Sequence, residues 1–472
     1  MSSEASKSES VSAIVGSAGS TTETLGWLDP PAGLRLAQVH YMIRHGERTP
    51  VRERLQKANP PIPTRWNMCH AGQDFKTAVL DVGRGSQVQA MNWKGDNFQG
   101  TTNEMNIKRR VESIDDKEKT LLPKMGDCML GELTDLGRAS SHLIGTRLRK
   151  LYIDKLGFLP DRLSPSDEAM VYFRSTNMSR TIQSLEGVVR GLLPQTQDSA
   201  SNRFDPTLLV RNGIVENLLP NTFGCSRLRD LDREFSKLAA SIHNPLLSSL
   251  DDKISPQIEG ALPRVDGHPR LNGILDTVRA SKAHGLTIPA VFEDEKVMNQ
   301  VERAVVDEWF IGYRAEDVSV RQQYRRLAMG RFLKELSNRV NEKVSKPSTP
   351  LKLAIYSAHD TSLAGLLSSL DVFDNHWPAF TASFGLELFE KPKPQGLLGR
   401  LGLGSNEHYV RMRYGDKTLN LPACSKSGDH LPGQPEFCTL QAFNKAVDSL
   451  QHPTGKTWEQ ECEEQRPERS NK

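Results

Sequence analysis

The sequence predicts an α/β fold with a largely parallel central sheet flanked by helices and a mostly α-helical cap formed by insertions. Three short apolar, strand-like segments each end in a cluster of polar residues. Amphipathic helical stripes follow the second and third of them, and alternation of strand and helix favours a parallel sheet. Two long stretches, 51–132 and 194–317, break that alternation and read as insertions over the active end of the sheet.

Residues 1–33 read as a disordered leader of Ser, Thr, Gly and Glu. The core is expected to comprise 34–50, 133–193 and 318–458. Leu36 to Ile43 (LAQVHYMI) reads as a strand that ends in Arg44-His45-Gly46. The first insertion is rich in Asn and Gly and carries Trp66, Phe75, Trp93 and Phe98. A helix is expected from near Thr134 to about Tyr152, with Leu136, Leu143, Ile144, Leu148 and Leu151 inward. Ala169 to Phe173 (AMVYF) reads as a buried strand ending in Arg174-Ser175-Thr176. Met178, Ile182, Leu185, Val189 and Leu192 mark the helix after it. The second insertion mixes short helix-like pieces with Pro-containing loops. A long helix covers about Val320 to Val340, and Leu351 to Tyr356 (LKLAIY) is a strand running into His359-Asp360. Thr361 to Leu370 is the next helix, with Asp360, Thr361 or Ser362 as its N-cap. Segment 391–405 is expected to be an exposed loop between late strands, and 459–472 a flexible tail. Parallel sheets bind ligands beyond the carboxyl ends of their strands, and all three polar clusters fall there.

At 472 residues and 37% hydrophobic content, the chain can bury a sizeable core. Its 61 basic and 58 acidic residues leave a formal net charge of +3. No nucleic-acid partner is expected, and any attraction for anions must be local. Lys108-Arg109-Arg110 is offset by Glu112, Asp115, Asp116 and Glu118 and reads as a solvated face. No stretch approaches the roughly 18 apolar residues that span a bilayer. The N-terminal MSSEASKSES lacks the basic start and apolar core of a secretory signal, and Glu4, Glu9 and Glu23 precede the first arginine, Arg35, unlike a transit peptide. A cytoplasmic location is the expectation, with a mitochondrial one as the alternative. The six cysteines (Cys69, Cys128, Cys225, Cys424, Cys438 and Cys462) have no CxxC spacing, and no His-x-His pair accompanies them. No metal and no cofactor are expected. Cys424 and Cys438 bracket a loop and can pair in an oxidising compartment; in a reducing cytosol they remain thiols. The sequence leaves the oligomeric state open.

Pooled, the clusters give Arg44, His45, Arg48, Arg174, His359 and Asp360. Guanidinium forks match phosphate oxygens, and three around one point would neutralise charge during phosphoryl transfer. The helix N-terminus after His359-Asp360 adds a favourable potential for an anion. Nearby cations disfavour imidazolium, so His45 is expected to be neutral and nucleophilic. Asp360 is the carboxylate of these clusters besides Glu47, and reads as the general acid that protonates the departing alkoxide. An acidic optimum follows. Gly46 permits close approach of backbone to ligand and Pro50 rigidifies the exit. His40, His70, His142 and His268 read as structural, Arg180 as a supporting residue, and Glu47 is left without a role.

These residues resemble the histidine acid phosphatase branch of the phosphoglycerate mutase-like superfamily. RHGERTP at Arg44–Pro50 matches its RHGxRxP motif. GELTDLG at Gly131–Gly137, RSTNMSR at Arg174–Arg180, SAHDTS at Ser357–Ser362 and VRMRYGDKTLNLPAC at Val410–Cys424 resemble later landmarks, so the likeness covers about Leu36 to Val447. Within the family, NTFGCSRLRDL at Asn221–Leu231 and GTRLRKLY at Gly145–Tyr152 are most similar to lysophosphatidic acid phosphatase-type proteins. The resemblance implies a nucleophile at His45, a proton donor at Asp360, phosphate binding by Arg44, Arg48, Arg174 and His359, and no metal. The expected partner is a small phosphomonoester, with a lysophospholipid as the finer reading. Three rivals remain: an inositol-phosphate phosphatase, which calls for a more basic cap; a mutase, which the Arg48-Thr49-Pro50 continuation and the His-Asp pair disfavour; and a non-catalytic phospholigand-binding scaffold, which would not need both His45 and Asp360.

Overall fold

The apolar run in Leu36–Ile43 forms β1 (Arg35–Arg44), which is buried from Gln38 to Arg44. A strand covered on both faces belongs inside a sheet, and β1 lies there. The computed structural model describes residues 25–81, 101–112, 124–194, 203–392 and 407–463. After β1 come a hairpin of β2 (Asp74–Asp81) and β3 (Thr101–Lys108), then α1 (Asp135–Arg149), β4 (Val171–Ser175), α2 (Ser179–Leu192) and β5 (Leu208–Val210). Three helices follow: α3 (Ser226–Leu247), α4 (Leu271–Ala283) and α5 (Glu295–Phe310). Next, α6 (Val318–Arg325) passes through a π-turn (Arg326–Gly330) into α7 (Arg331–Ser345) and leads to β6 (Leu353–Ala358) and α8 (Asp360–Ser369). The chain closes with β7 (Ser383–Lys391), β8 (Glu407–Tyr414), β9 (Lys417–Leu419), β10 (His430–Leu431), β11 (Gln434–Thr439), α9 (Leu440–Asp448) and α10 (Trp458–Cys462).

The sheet order is β10-β11-β8-β7-β1-β6-β4-β5, with β9 beside β8. β1, β6, β4 and β5 run parallel, as the three predicted strands require. The late strands extend the sheet antiparallel from β1 outward, which needs no crossover helix. The sheet is therefore mixed, with parallel core strands. Most of the loop expected at 391–405 lies outside the described residues.

Period-two alternation sorts the two faces. Leu353 and Ile355 of β6 pack with Leu148 of α1 and with Leu185 and Val188 of α2. Ala354 and Tyr356 face Phe332, Leu336 and Val340 of α7 and Leu363 and Leu367 of α8. A third apolar cluster joins the two insertions: Leu55, Ile62 and Trp66 pack with Ile274, Val278, Val301 and Val305. The helices expected over these insertions lie in 194–317, in longer pieces than its prolines suggest. Pro245 falls in the last turn of the 22-residue α3, and Pro269 precedes α4, so neither interrupts a helix midway. The described part of the first insertion instead holds the β2–β3 hairpin; Trp93 and Phe98 lie outside the described residues.

Residues 25–33 and 459–463 are held more firmly than their composition suggests, while 1–24 and 464–472 of the expected leader and tail lie outside the described residues. Leu25 and Trp27, within the expected leader 1–33, are buried. The Trp27 ring lies 6.2 Å from Tyr152 and has the Arg411 guanidinium 4.3 Å above it. Arg411 donates to the Leu28 carbonyl at 2.7 Å and Arg413 to that of Leu25. Two apolar anchors in a polar stretch leave too weak a compositional trace to read. In the expected tail 459–472, Glu461 and Cys462 are buried, Arg326 holds Glu461 at 2.6 Å, and Cys462 bonds to Cys225. Cys69–Cys128 and Cys424–Cys438 complete the pairing of all six cysteines. Among the described residues, no helix is long and apolar enough to cross a membrane.

Glu387 of β7 carries the centre of this anchoring. Its carboxylate meets Arg411 at 2.8 Å and Arg413 at 3.5 Å and accepts from the Tyr152 hydroxyl at 3.0 Å, all buried. Glu387→Ala leaves two buried guanidiniums uncompensated and is expected to cost roughly 3–5 kcal/mol. Urea unfolding checks this, and a loss under about 1 kcal/mol would contradict the role.

Candidate active site

Strand register brings the first and third clusters side by side. Arg44 is level with Ala358, and the His45 N–H donates to the Ala358 carbonyl at 3.1 Å. The turn after β1 is clamped from behind by α1. A Cβ on Gly46 would collide with the Gly137 carbonyl, and one on Gly137 with the Glu47 carbonyl, so both positions need glycine. Thr134 caps α1 and donates its hydroxyl to the Glu47 carbonyl at 3.2 Å. The Gly131–Gly137 landmark is thus the seat of the His45 turn. Glu47 itself points into this seat and accepts from the Ser140 hydroxyl.

His45 is buried, and its Nδ1–H donates to the Gly46 carbonyl at 2.9 Å. A carbonyl can only accept, so this bond fixes the neutral tautomer and leaves the Nε2 lone pair free. Burial first, then the charges of Arg44, Arg48 and Arg180, push its pKa well below 6.5. The His359 ring lies edge-on, 5.7 Å away between centroids. Its backbone N–H donates to the Ser362 hydroxyl at 3.2 Å, and its Nε2 meets the Thr176 hydroxyl at 3.0 Å. Burial and Arg180 hold His359 down to about 3, so it too is neutral.

Asp360 opens α8. Its Oδ1 accepts from the Thr361 N–H at 2.8 Å, and its Oδ2 accepts from Trp377 Nε1–H at 3.1 Å and meets Arg44 at 2.8 Å. Burial pushes this carboxyl up, but Arg44, Arg48 and His359 outweigh it, and it lies below its usual value. Arg44 also stacks 4.2 Å from the Phe380 ring and donates to the Pro378 carbonyl at 2.6 Å. Arg48 reaches Asp276 of α4 at 2.8 Å. Sequence reasoning missed Asp276, Trp377 and Phe380; they sit far from any motif and carry no local signal.

Arg174 does not join the other five. In β4 it is level with Tyr356, two residues short of the row that holds Arg44 and Ala358. At about 3.3 Å per residue that is roughly 7 Å below the strand end. Its side chain is fully buried against Glu216, Asn217 (2.7 Å) and Glu335 (3.4 Å). The arginine that acts on the site from this side is Arg180, in the first turn of α2. Its charge acts on His45 and His359 and, in turn, feels Arg48 and Asp360, and its Nε is sealed from solvent without a hydrogen-bond partner among the described residues. The clue was positional: a helix that starts at a strand's carboxyl end presents its first turn to the site.

A cavity of about 210 Å³ opens beside these groups. Arg44, Arg48, Arg54, Arg279, Asp276 and Asp360 bring charge to its lining, and Val51, Leu275, Val305, Trp309, Trp377 and Phe380 give it apolar walls. Among the described residues, no group of three or more His, Cys, Asp or Glu is arranged to hold a metal ion. The arrangement sets a neutral imidazole with a free ring nitrogen among arginine charges, beside a carboxylate paired with Arg44.

The model of the histidine phosphatase superfamily (branch 2) matches residues 35–415. A probable acid phosphatase of Schizosaccharomyces pombe is 34% identical over 462 residues, covering 90% of this chain and 93% of the relative. Lysophosphatidic acid phosphatase type 6 of Mus musculus is 25% identical, covering 81% of this chain and 80% of the relative. Among solved structures, the phytase of Hafnia alvei shares the fold with a TM-score of 0.54 at 14% identity, over 91% of this chain and 100% of that one.

The depressed histidines have a sign that can be measured. His45 and His359 should stay neutral as pH falls through 6.5, in a histidine-labelled NMR titration, with the His45 proton on Nδ1. The unfolded chain takes up protons near 6.5 that the folded chain refuses, so stability present above that pH declines below it. A His45 midpoint near 6.5 would contradict the electrostatic account.

Proposed function

Because the chain belongs to branch 2 of the histidine phosphatase superfamily, we propose that it hydrolyses phosphomonoesters through a phosphohistidine on His45, with Asp360 as proton donor. Its acid phosphatase relatives agree with a phosphatase. The observation that carries the mechanism is the Nδ1–H bond from His45 to the Gly46 carbonyl, which leaves Nε2 as the attacking atom. Arg44, Arg48, Arg180 and His359 hold the phosphoryl oxygens. Nε2 attacks phosphorus, the ester P–O bond breaks, and Asp360 gives its proton to the departing alkoxide, releasing the alcohol. Water then attacks the phosphohistidine, Asp360 takes a proton from it, the P–N bond breaks, and inorganic phosphate leaves with His45 neutral again.

The ionised state of Asp360 in the empty site fits this sequence. Substrate oxygens compete for Arg44 and Arg48, remove the attraction that keeps Asp360 ionised, and place negative charge beside it, so its proton affinity rises on binding. Turnover is then favoured in acid, where the proton is available and His45 is still neutral. The insertions 51–132 and 194–317 act as the cap, and its apolar walls favour an alcohol with a hydrocarbon portion. Lysophosphatidate is the substrate class that joins those walls to the lysophosphatidic acid phosphatase of mouse. Inositol phosphates are the second reading, favoured by the phytase fold neighbours.

The pairing of all six cysteines further supports an oxidising compartment over the cytoplasmic expectation, because cytosolic thiols are kept reduced. Thiol titration of the protein from its own cells, alkylated at lysis and then unfolded, should find no free cysteine; six free thiols would restore the cytoplasmic reading.

Phosphate release without added metal should vanish in His45→Ala. Asp360→Asn should lose about 10²–10⁴-fold with alkyl phosphates and much less with an aryl phosphate whose leaving group needs no proton. Equal losses on both substrate types would argue against Asp360 as the donor.

A further inference from the structure

Four arginines line the cavity: Arg44, Arg48, Arg54 and Arg279. Three of them meet a carboxylate. Arg44 has Asp360 at 2.8 Å, Arg48 has Asp276 at 2.8 Å, and Arg279 has Glu302 at 2.7 Å. Among the described residues, Arg54 has no carboxylate in ion-pair contact, and its Nη1 is sealed from solvent without a hydrogen-bond partner. The acid whose charge reaches it, Asp276, is already bonded to Arg48 and to the Val51 N–H at 3.2 Å.

The guanidinium is nonetheless held in place. It lies across Gly273, near the start of α4, where a Cβ would collide with its Cζ, Nε and Nη2. A glycine inside a helix weakens it relative to alanine, so the close passage of Arg54 gives Gly273 a reason to be there. A desolvated donor without an acceptor is costly, and a charge-assisted hydrogen bond formed on binding repairs that deficit. The neighbouring walls, Val51, Leu275, Val305 and Trp309, suit carbon rather than a second phosphate cluster.

We propose that Arg54 is a leaving-group subsite, donating to an oxygen carried by the alcohol part of the substrate close to the phosphoester. The preferred substrates are then phosphomonoesters of oxygen-bearing alcohols, such as a glycerol backbone or a polyol ring, over simple alkyl phosphates. This rests on the phosphatase reading above and adds the chemical class of the leaving group.

The test compares kcat/KM for glycerol 1-phosphate and 1-propyl phosphate, which differ only in the two hydroxyls. In Arg54→Ala the glycerol-to-propyl ratio should fall roughly 10- to 100-fold. Gly273→Ala keeps the charge and favours the helix but pushes the guanidinium aside, and should lower the same ratio. A ratio unchanged in both variants, whether or not the two rates fall together, overturns the proposal. Lysophosphatidate and an inositol monophosphate measured alongside identify which alcohol the subsite serves, since the loss should be largest for the one that reaches Arg54. If the natural protein were as inactive on all four as His45→Ala, the phosphatase reading itself would fall, which is a different result from an active enzyme with an unchanged ratio.

Discussion

A neutral imidazole held among guanidiniums sets the terms for the rest of this structure. Burial and three nearby arginines, Arg44, Arg48 and Arg180, all oppose a proton on His45, and the Gly46 carbonyl fixes which nitrogen keeps the one it has. The same cations would repel one another in a dry site, and carboxylates offset them: Asp360 on Arg44 and Asp276 on Arg48. Both carboxylates occupy faces of the arginines that a phosphoryl group would also seek. On the proposed phosphatase reading, substrate oxygens take over contacts that Asp360 and Asp276 hold here.

The scaffold serves that balance at close range. Glycine-on-backbone contact between Gly46 and Gly137 lets α1 support the His45 turn without side chains between them. The parallel pairing of β1 with β6 sets His45 beside His359, and the start of α8 supplies Asp360. Asp276 comes from α4 in 194–317, so that segment is tied to Arg48 electrostatically as well as to 51–132 through the apolar cluster. Charge removed from one side is felt on the other.

Much of this was legible in the chain because it is local. The RHGERTP and SAHDTS motifs sit at the ends of apolar runs, and β1, β6, α1 and α8 follow from those runs and the helical stripes beside them. The choice between Arg174 and Arg180 was not local. It turns on strand register, because two residues along β4 decide whether a side chain clears the sheet or stays beneath it. The Trp27 anchor, the Cys225–Cys462 bond and the Asp276–Arg48 pair join segments far apart in sequence, and no periodicity records them. The helices of 194–317 run longer than the short pieces read from the sequence, because Pro245 and Pro269 fall at their ends.

The account stands most directly on the covalent step at His45. The measurement is a rapid quench of enzyme and substrate into base, where a phosphohistidine survives, followed by peptide mapping with mass spectrometry. The expected result is phosphate on the peptide that contains His45, formed within the first turnover and absent in His45→Ala. Turnover with no phosphopeptide at any time, or phosphate carried by another residue, would contradict the nucleophile assignment and the electrostatic argument built around it.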